Sequence, residues 1–342
     1  MIDEVMICGV RRANSLVPVG EIQQAIGRAG RGYGSTAKAV ILCPAEDAEY
    51  ASSCLVEQPP PVRSQMSSVE EVAFHVLPWM DRVYDDESFG KWKSRSLSEI
   101  QGSAVRWCDV ERALLESGCI DEEHNLTRFG RISVRMYYRP DKMLVMKDKL
   151  REVFDCSDEI DPITLSYVLS FDRVPLADVE AWELSEYKGS VSGRGYYFTR
   201  GELIQAFAFY CIMVNESPKW MRHVINGVRD DLSRSFGTLE QIADCFGMGD
   251  FPKRIRVAGI SAMRRVTYEI AGIIDEFGLA SRNSALELKD MGIFTRSDLS
   301  GNENDIIDNG SDGLKAELSR LGFLPDLAAR EMRRSEGTLK ET

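Results

Sequence analysis

The spacing of apolar positions changes along the chain, and each change marks a different kind of element. Val5-Met6-Ile7-Cys8 reads as a short strand and, further on, Ala37 to Cys43, apolar apart from Lys38, as a second, buried one. Between them Ile22 and Ile26 fall four apart, which predicts a short helix entering at Gly20–Glu21. Strand, helix and strand make the last piece of a parallel α/β layer, and leave one sheet edge and one face uncovered. Pro44 to Ser68, with Pro59-Pro60-Pro61 and several serines, reads as a connector. Helical spacing then takes over. Val69 to Met80 is amphipathic, Asp81 to Ser98 is charged and ambiguous, and Trp107 to Ser117 is a helix stopped by Gly118. Lys149 to Gly247 is helical by pattern, and within it Gly201 to Val214 is apolar nearly all round, as a central core helix must be. Lys219 to Arg234 is amphipathic with Arg222 and Arg229 exposed, and Phe251 to Tyr268 reads as one continuous helix. Gly301 to Gly313 reads as a loop, Leu314 to Met332 as a final amphipathic helix, and the tail beyond it as disordered. The chain is therefore expected to be mainly α, with a small α/β piece at its start.

Composition narrows this. At 342 residues the chain is long enough for two to three domains. Apolar content of 44% and charged content of 28% are those of an ordinary soluble protein. Apolar runs fall far short of a membrane span, so no membrane partner is expected. The eight cysteines are scattered with no C-x-x-C pair, which fits reduced cytoplasmic usage better than disulfides or zinc. The three histidines stand apart from one another, and no metal site is expected. A net charge of −12 argues against a positive coat for nucleic acid but allows a local basic groove.

Candidate chemistry begins in Val19 to Gly34, where the predicted helix runs out into glycines alternating with arginines. Gly27, Gly30, Gly32 and Gly34 allow a close backbone approach and positive φ. Arg28 and Arg31, three apart, project from one side, and two guanidiniums beside a glycine-rich backbone suit a triphosphate. A P-loop is excluded, because Gly34 is followed by Ser35-Thr36-Ala37-Lys38 with the lysine too late. The dinucleotide fingerprint is out of phase. Gln24-Ala25-Ile26-Gly27-Arg28-Ala29-Gly30-Arg31 resembles motif VI of superfamily 2 helicases in its Ski2-like form. That resemblance implies an ATP site closed from a second RecA-like lobe, with Gln24, Gly27, Arg28, Gly30 and Arg31 at the nucleotide. Arg28 and Arg31 would be the catalytic fingers on the γ-phosphate.

Two further stretches resemble the same family. From Val105 the chain is similar to a winged helix, in which Cys119-Ile120 and Leu126-Thr127 flank a polar turn as in a wing hairpin. Leu126-Thr127-Arg128-Phe129-Gly130-Arg131-Ile132-Ser133 resembles the L-T-x-x-G-R-x-x-S segment that follows motif VI there. Inside it, Asp121-Glu122-Glu123-His124 spells the D-E-x-H box that holds magnesium in these ATPases, but it lacks the preceding strand and follows motif VI. It reads as a solvated hairpin turn. Phe251 to Tyr268 carries Lys253, Arg254, Arg256, Arg264 and Arg265 with no acid. Lys253, Arg256 and Arg264 form one row and Arg254 with Arg265 a second, an electrostatic track for a phosphate backbone; the competing reading is a helix face paired with acids from its neighbours. By position the stretch resembles the ratchet helix of the DNA-repair branch, the polymerase-theta and archaeal repair helicase type. No tryptophan occurs in it, and Tyr268 is the aromatic in its body. Ser281 to Leu299 resembles the second half of a degenerate helix-hairpin-helix, with Ser281 in place of the hairpin glycine.

Taken together, the resemblance implies four parts: the end of a RecA-like lobe in 1–58, a linker and winged helix in 59–150, a ratchet bundle in 151–280, and a degenerate hairpin with tail in 281–342. Phosphate loop, genuine D-E-x-H box and motif V are missing from it. ATP and magnesium would thus be held mainly by a separate or missing portion carrying motifs I to V. The expected partners are that portion and single-stranded or forked DNA. The expected location is cytoplasmic, nucleoid-associated or nuclear. The alternative is an ATPase-less nucleic-acid-binding module.

Overall fold

A strand sends successive side chains to opposite faces, and Val5 and Ile7 alternate with Glu4, Met6 and Cys8 on that period. In the computed structural model, which describes residues 4–12, 15–28, 38–56, 64, 66–156, 160–171 and 182–324, they form β1 (Glu4–Cys8). A two-residue pair, β2 (Arg11–Arg12) and β3 (Ser15–Leu16), leads to α1 (Val19–Ile26), and the chain returns through β4 (Lys38–Leu42) to α2 (Ala48–Val56). β1 and β4 pair in parallel, from Glu4 opposite Lys38 to Cys8 opposite Leu42. Among the described residues neither strand has another neighbour. Ile7 and Ile41 pack toward Val10, Ile22, Ala51 and Cys54, a small core under one face. Met6 (58% exposed) and Leu42 (51%) stand on the other face. Arg11 grips the buried Asp47 carboxylate at 2.6–2.9 Å and holds it below the usual carboxylate range, tying β2 to the turn before α2. The expected connector therefore contains a helix, because Ala51 and Cys54 find the underside of the sheet.

The helices that follow are α3 (Val69–Val76), α4 (Asp86–Lys93), α5 (Leu97–Ile100), α6 (Trp107–Glu116), α7 (Arg128–Met136), α8 (Pro140–Cys156), α9 (Pro162–Val168) and α10 (Trp182–Ser192). Then come α11 (Arg200–Met213), α12 (Arg222–Asp230), α13 (Leu232–Cys245), α14 (Phe251–Arg264), α15 (Tyr268–Phe277), α16 (Arg282–Asp290), α17 (Arg296–Gly301), α18 (Glu303–Asn309) and α19 (Asp312–Arg320). The fold is mainly helical, with one small parallel sheet. It divides into two units, 1–65 with 96–102, and 66–95 with 103–342.

In the second unit one core runs from Val72 to Ala262 and another from Ile270 to Leu324. α11 lies in the first, with Phe207 and Phe209 buried and Tyr210 half-buried, as an all-round apolar helix requires. Between α6 and α7 the chain turns at Asp121–His124, closed by a single bridge from Ile120 to Leu126. Gly130 touches the backbone here: a Cβ would sit 2.0 Å from the Cys119 carbonyl oxygen. One ambiguity is resolved and two expectations are corrected. The charged stretch Asp81 to Ser98 holds α4, capped by Asp85 and anchored by Phe89. The expected loop Gly301 to Gly313 holds α18, anchored by the fully buried Ile306. The expected helix Phe251–Tyr268 is two helices. Arg265 turns left-handed (φ 53°), Ser261 Oγ donates to the Val266 carbonyl at 2.7 Å, and Thr267 caps α15.

Candidate functional site

At the exit of α1, Ile22 is buried and Ile26 half-buried on the core side, while Gln24 and Arg28, four apart, are both exposed on the other. Arg28 carries no ion pair among the described residues. Gly27 ends the helix with φ −64°, its N–H donating to Gln23 O at 2.8 Å, so positive φ is not its reason for being glycine. A Cβ there would press on that same carbonyl at 3.3 Å. Gly30 and Arg31, with Gly32 and Gly34, lie outside the described residues. An exposed, uncommitted guanidinium next to an amide side chain suits a phosphate oxyanion. No group of three or more His, Cys, Asp or Glu side chains placed to hold a metal ion occurs among the described residues. The Asp121–His124 turn is no exception, since its His124 ring pairs with Glu111.

The basic residues near α14 divide by what they touch. Arg256 is a bidentate partner of Asp275 (2.7 and 3.1 Å) and also reaches Glu240 at 2.9 Å, and these hydrogen bonds push its pKa up. Lys253 pairs with Glu276 at 3.3 Å. Arg264 donates to the carbonyls of Leu279 and Ala280 at 3.0 and 2.9 Å, closing the C-terminal end of α15. For Lys253 and Arg256 the acid-paired reading describes the geometry, and two carboxylates around Arg256 leave no net positive charge there. Arg254 and Arg265 differ. Arg254 lies 5.4 Å over the Phe251 ring, Arg265 is exposed, and neither has an ion pair among the described residues. Tyr268 donates to the Arg254 carbonyl at 3.4 Å and stays half-exposed; its burial pushes the phenol pKa up. The tertiary fold thus brings Arg254 and Tyr268 together and turns Lys253, Arg256 and Arg264 to other duties.

At the hairpin before α16, the buried Glu317 carboxylate of α19 accepts from the amides of Ala280 (2.6 Å) and Ser281 (3.2 Å) and from Ser284 Oγ (2.6 Å). The amides that could face a phosphate are filled by the chain's own anion. Sequence reasoning missed Glu317, Asp275 and Glu240. Each lies on a separate helix, and only the acid-free composition of Phe251 to Tyr268 hinted that its partners had to come from elsewhere. No helix among the described residues is long and apolar enough to cross a membrane. No protein-family model matches the chain, and no curated protein matches it.

Proposed function

We propose that this chain is the C-terminal portion of a Ski2-like ATP-dependent DNA helicase. It would supply the motif VI arginines and a single-strand platform to a motor portion that carries the remaining motifs. One observation carries the reading. A parallel strand–helix–strand unit presents Gln24 and Arg28 on one side of its helix, exposed and without an ion pair among the described residues, and Met6 and Leu42 stand exposed on the other face of its sheet. Parallel sheets are normally covered on both faces, so this piece has the form of the end of a larger layer such as a RecA-like lobe. An ATPase-less module has no physical need of a guanidinium held free in this position.

The turn at Ile120–Leu126 followed by α7 supports a winged helix, and α8 to α15 a ratchet bundle. The region from α16 onward supports a hairpin that no longer offers its amides to DNA. In this scheme Gln24, Gly27 and Arg28, with Gly30 and Arg31, would meet ATP, and the magnesium ligands would belong to the motor portion. ATP bound there supplies the phosphoryl group to be transferred. The arginines would stabilise the charge that spreads over its oxygens. Reconstitution with the motor portion tests this. Arg28→Ala and Arg31→Ala should each cut ATP turnover by about 10³-fold, and Arg31→Lys nearly as much, because an ammonium lacks the planar fork. Full turnover in these variants would remove motif VI from the mechanism.

A further inference from the structure

The two cores of the second unit are joined by the short stretch between α14 and α15, and a cavity of about 250 Å³ opens beside that joint. Ala258 of α14, Leu165 of α9 and Met213 of α11 line it from the side of the first core. Val266 and Thr267 of the joint, with the half-exposed Tyr268 that opens α15, line it from the other. The joint itself is lightly fastened. After the left-handed turn at Arg265, Val266 is held by two hydrogen bonds to one residue: its amide donates to the Ser261 carbonyl at 3.2 Å, and its carbonyl accepts from Ser261 Oγ at 2.7 Å. Ser261 also borders the cavity, so whatever fills the cavity packs directly against this fastening.

Size and chemistry narrow the occupant. An apolar cavity of about 150 Å³ is enough for benzene, so this one suits one ring or two fused rings. Ala258, Leu165, Met213 and Val266 offer carbon surface, and the Tyr268 ring adds an aromatic face. The charged side chain at the border is Asp161, whose carboxylate accepts from the amides of Ile163 and Thr164 at 2.9 Å and pairs with Arg194. An anion would be repelled by Asp161, and a cation would find that carboxylate already matched. A polar handle remains at the edge: the Thr267 hydroxyl accepts from the Ile270 amide at 3.4 Å, and its own hydrogen has no partner among the described residues. Carbon walls with one or two placed polar groups are the make-up of a small-molecule site.

We propose that this cavity is a binding site for an uncharged aromatic molecule of one or two fused rings, carrying one oxygen toward Thr267, and that its binding braces the joint between the two cores. The proposal needs neither the arginines of α1 nor a nucleic acid, and so stands or falls apart from the helicase reading. The ring gives the cavity walls the dispersion contacts they lack and presses Val266 onto Ser261, which makes opening of the turn less frequent.

The experiment uses the full chain and two probes with the same rings, uncharged 2-naphthol and anionic 2-naphthoate, followed by calorimetric titration. Wild type should bind 2-naphthol at a single site with a Kd of about 0.1–1 mM, as expected for a ligand of this size, and 2-naphthoate at least about tenfold more weakly. Ala258→Leu and Met213→Phe fill the cavity from two sides, and each should weaken 2-naphthol binding about tenfold or more. Met213 is the less buried of the two and decides the point if Ala258→Leu does not fold. In wild type, 2-naphthol should slow hydrogen exchange at the Val266 amide and leave α6 and α7 unchanged. No saturable binding, or binding that survives the fillings, overturns the site. Equal binding of the naphthoate overturns the uncharged class, and binding without slower exchange at Val266 overturns the brace.

Discussion

Glu317 makes three hydrogen bonds to partners thirty or more residues away, and these tie α19 to the N-terminal end of α16. Burial pushes its pKa up, but the hydrogen bonds from Ser284 and from the amides of Ala280 and Ser281 together outweigh burial and hold it below the ordinary value. A carboxylate with a depressed folded pKa contributes stability above its unfolded pKa of about 4.3 and loses it as pH falls through the folded value. Wild type should therefore be more stable than Glu317→Gln at pH 7, with the gap closing as the pH drops below 4. Urea unfolding of both proteins across that range measures it, and a gap independent of pH would mean that the charge of Glu317 contributes nothing. Gly130 is the opposite kind of residue. It is fixed by the absence of a side chain, because any Cβ would strike the Cys119 carbonyl.

At the scale of elements, the basic residues of α14 differ in what they touch. Arg256 joins α13, α14 and α15 through Glu240 and Asp275, and the Asp275 side chain is only 10% exposed. Arg256→Ala strands that carboxylate and should cost about 1–3 kcal/mol of stability. It should leave the salt slope of strand binding where it was, because this guanidinium is already neutralised. A slope that falls with Arg256→Ala at unchanged stability would restore the full five-cation track. α14 itself ends at Arg264 for a local reason. Thr267 is a good N-cap, its hydroxyl accepting from the Ile270 amide, and the chain must turn through Arg265 to let α15 pack back.

For the whole molecule, the two units are unequally built. The first buries Val10, Ile22, Ala51 and Cys54 beneath a two-stranded sheet, whereas the second has cores with many large buried side chains. A sheet of that size is marginal alone. Amides of β1 and β4 should exchange with solvent much faster than those of α11 in the isolated chain, and the motor portion should slow them. Equal protection of β1, β4 and α11 in the chain alone would show that the first unit needs no completion. The same reasoning predicts no ATP turnover without the motor portion, since the sequence holds no phosphate loop.

Much of the architecture was legible in local pattern. The strand–helix–strand at the start, the stop at Gly118, the turn at Asp121–His124 and the core helix ending at Met213 all follow from spacing and from glycine, because those features depend on neighbours in sequence. So was the inward face of α1, set by Ile22 and Ile26, with Arg28 projecting outward. What the tertiary structure alone decided was charge. Five basic residues in one stretch look alike in sequence, yet Lys253 and Arg256 meet acids from other helices and Arg264 the carbonyls that follow α15, while Arg254 and Arg265 have no ion pair among the described residues. Likewise nothing near Ser281 announces that Glu317, thirty-six residues on, fills its amides. Helical periodicity is a property of a segment, whereas the partner of a side chain is chosen by packing between segments, and a cavity exists only where several of them fail to meet.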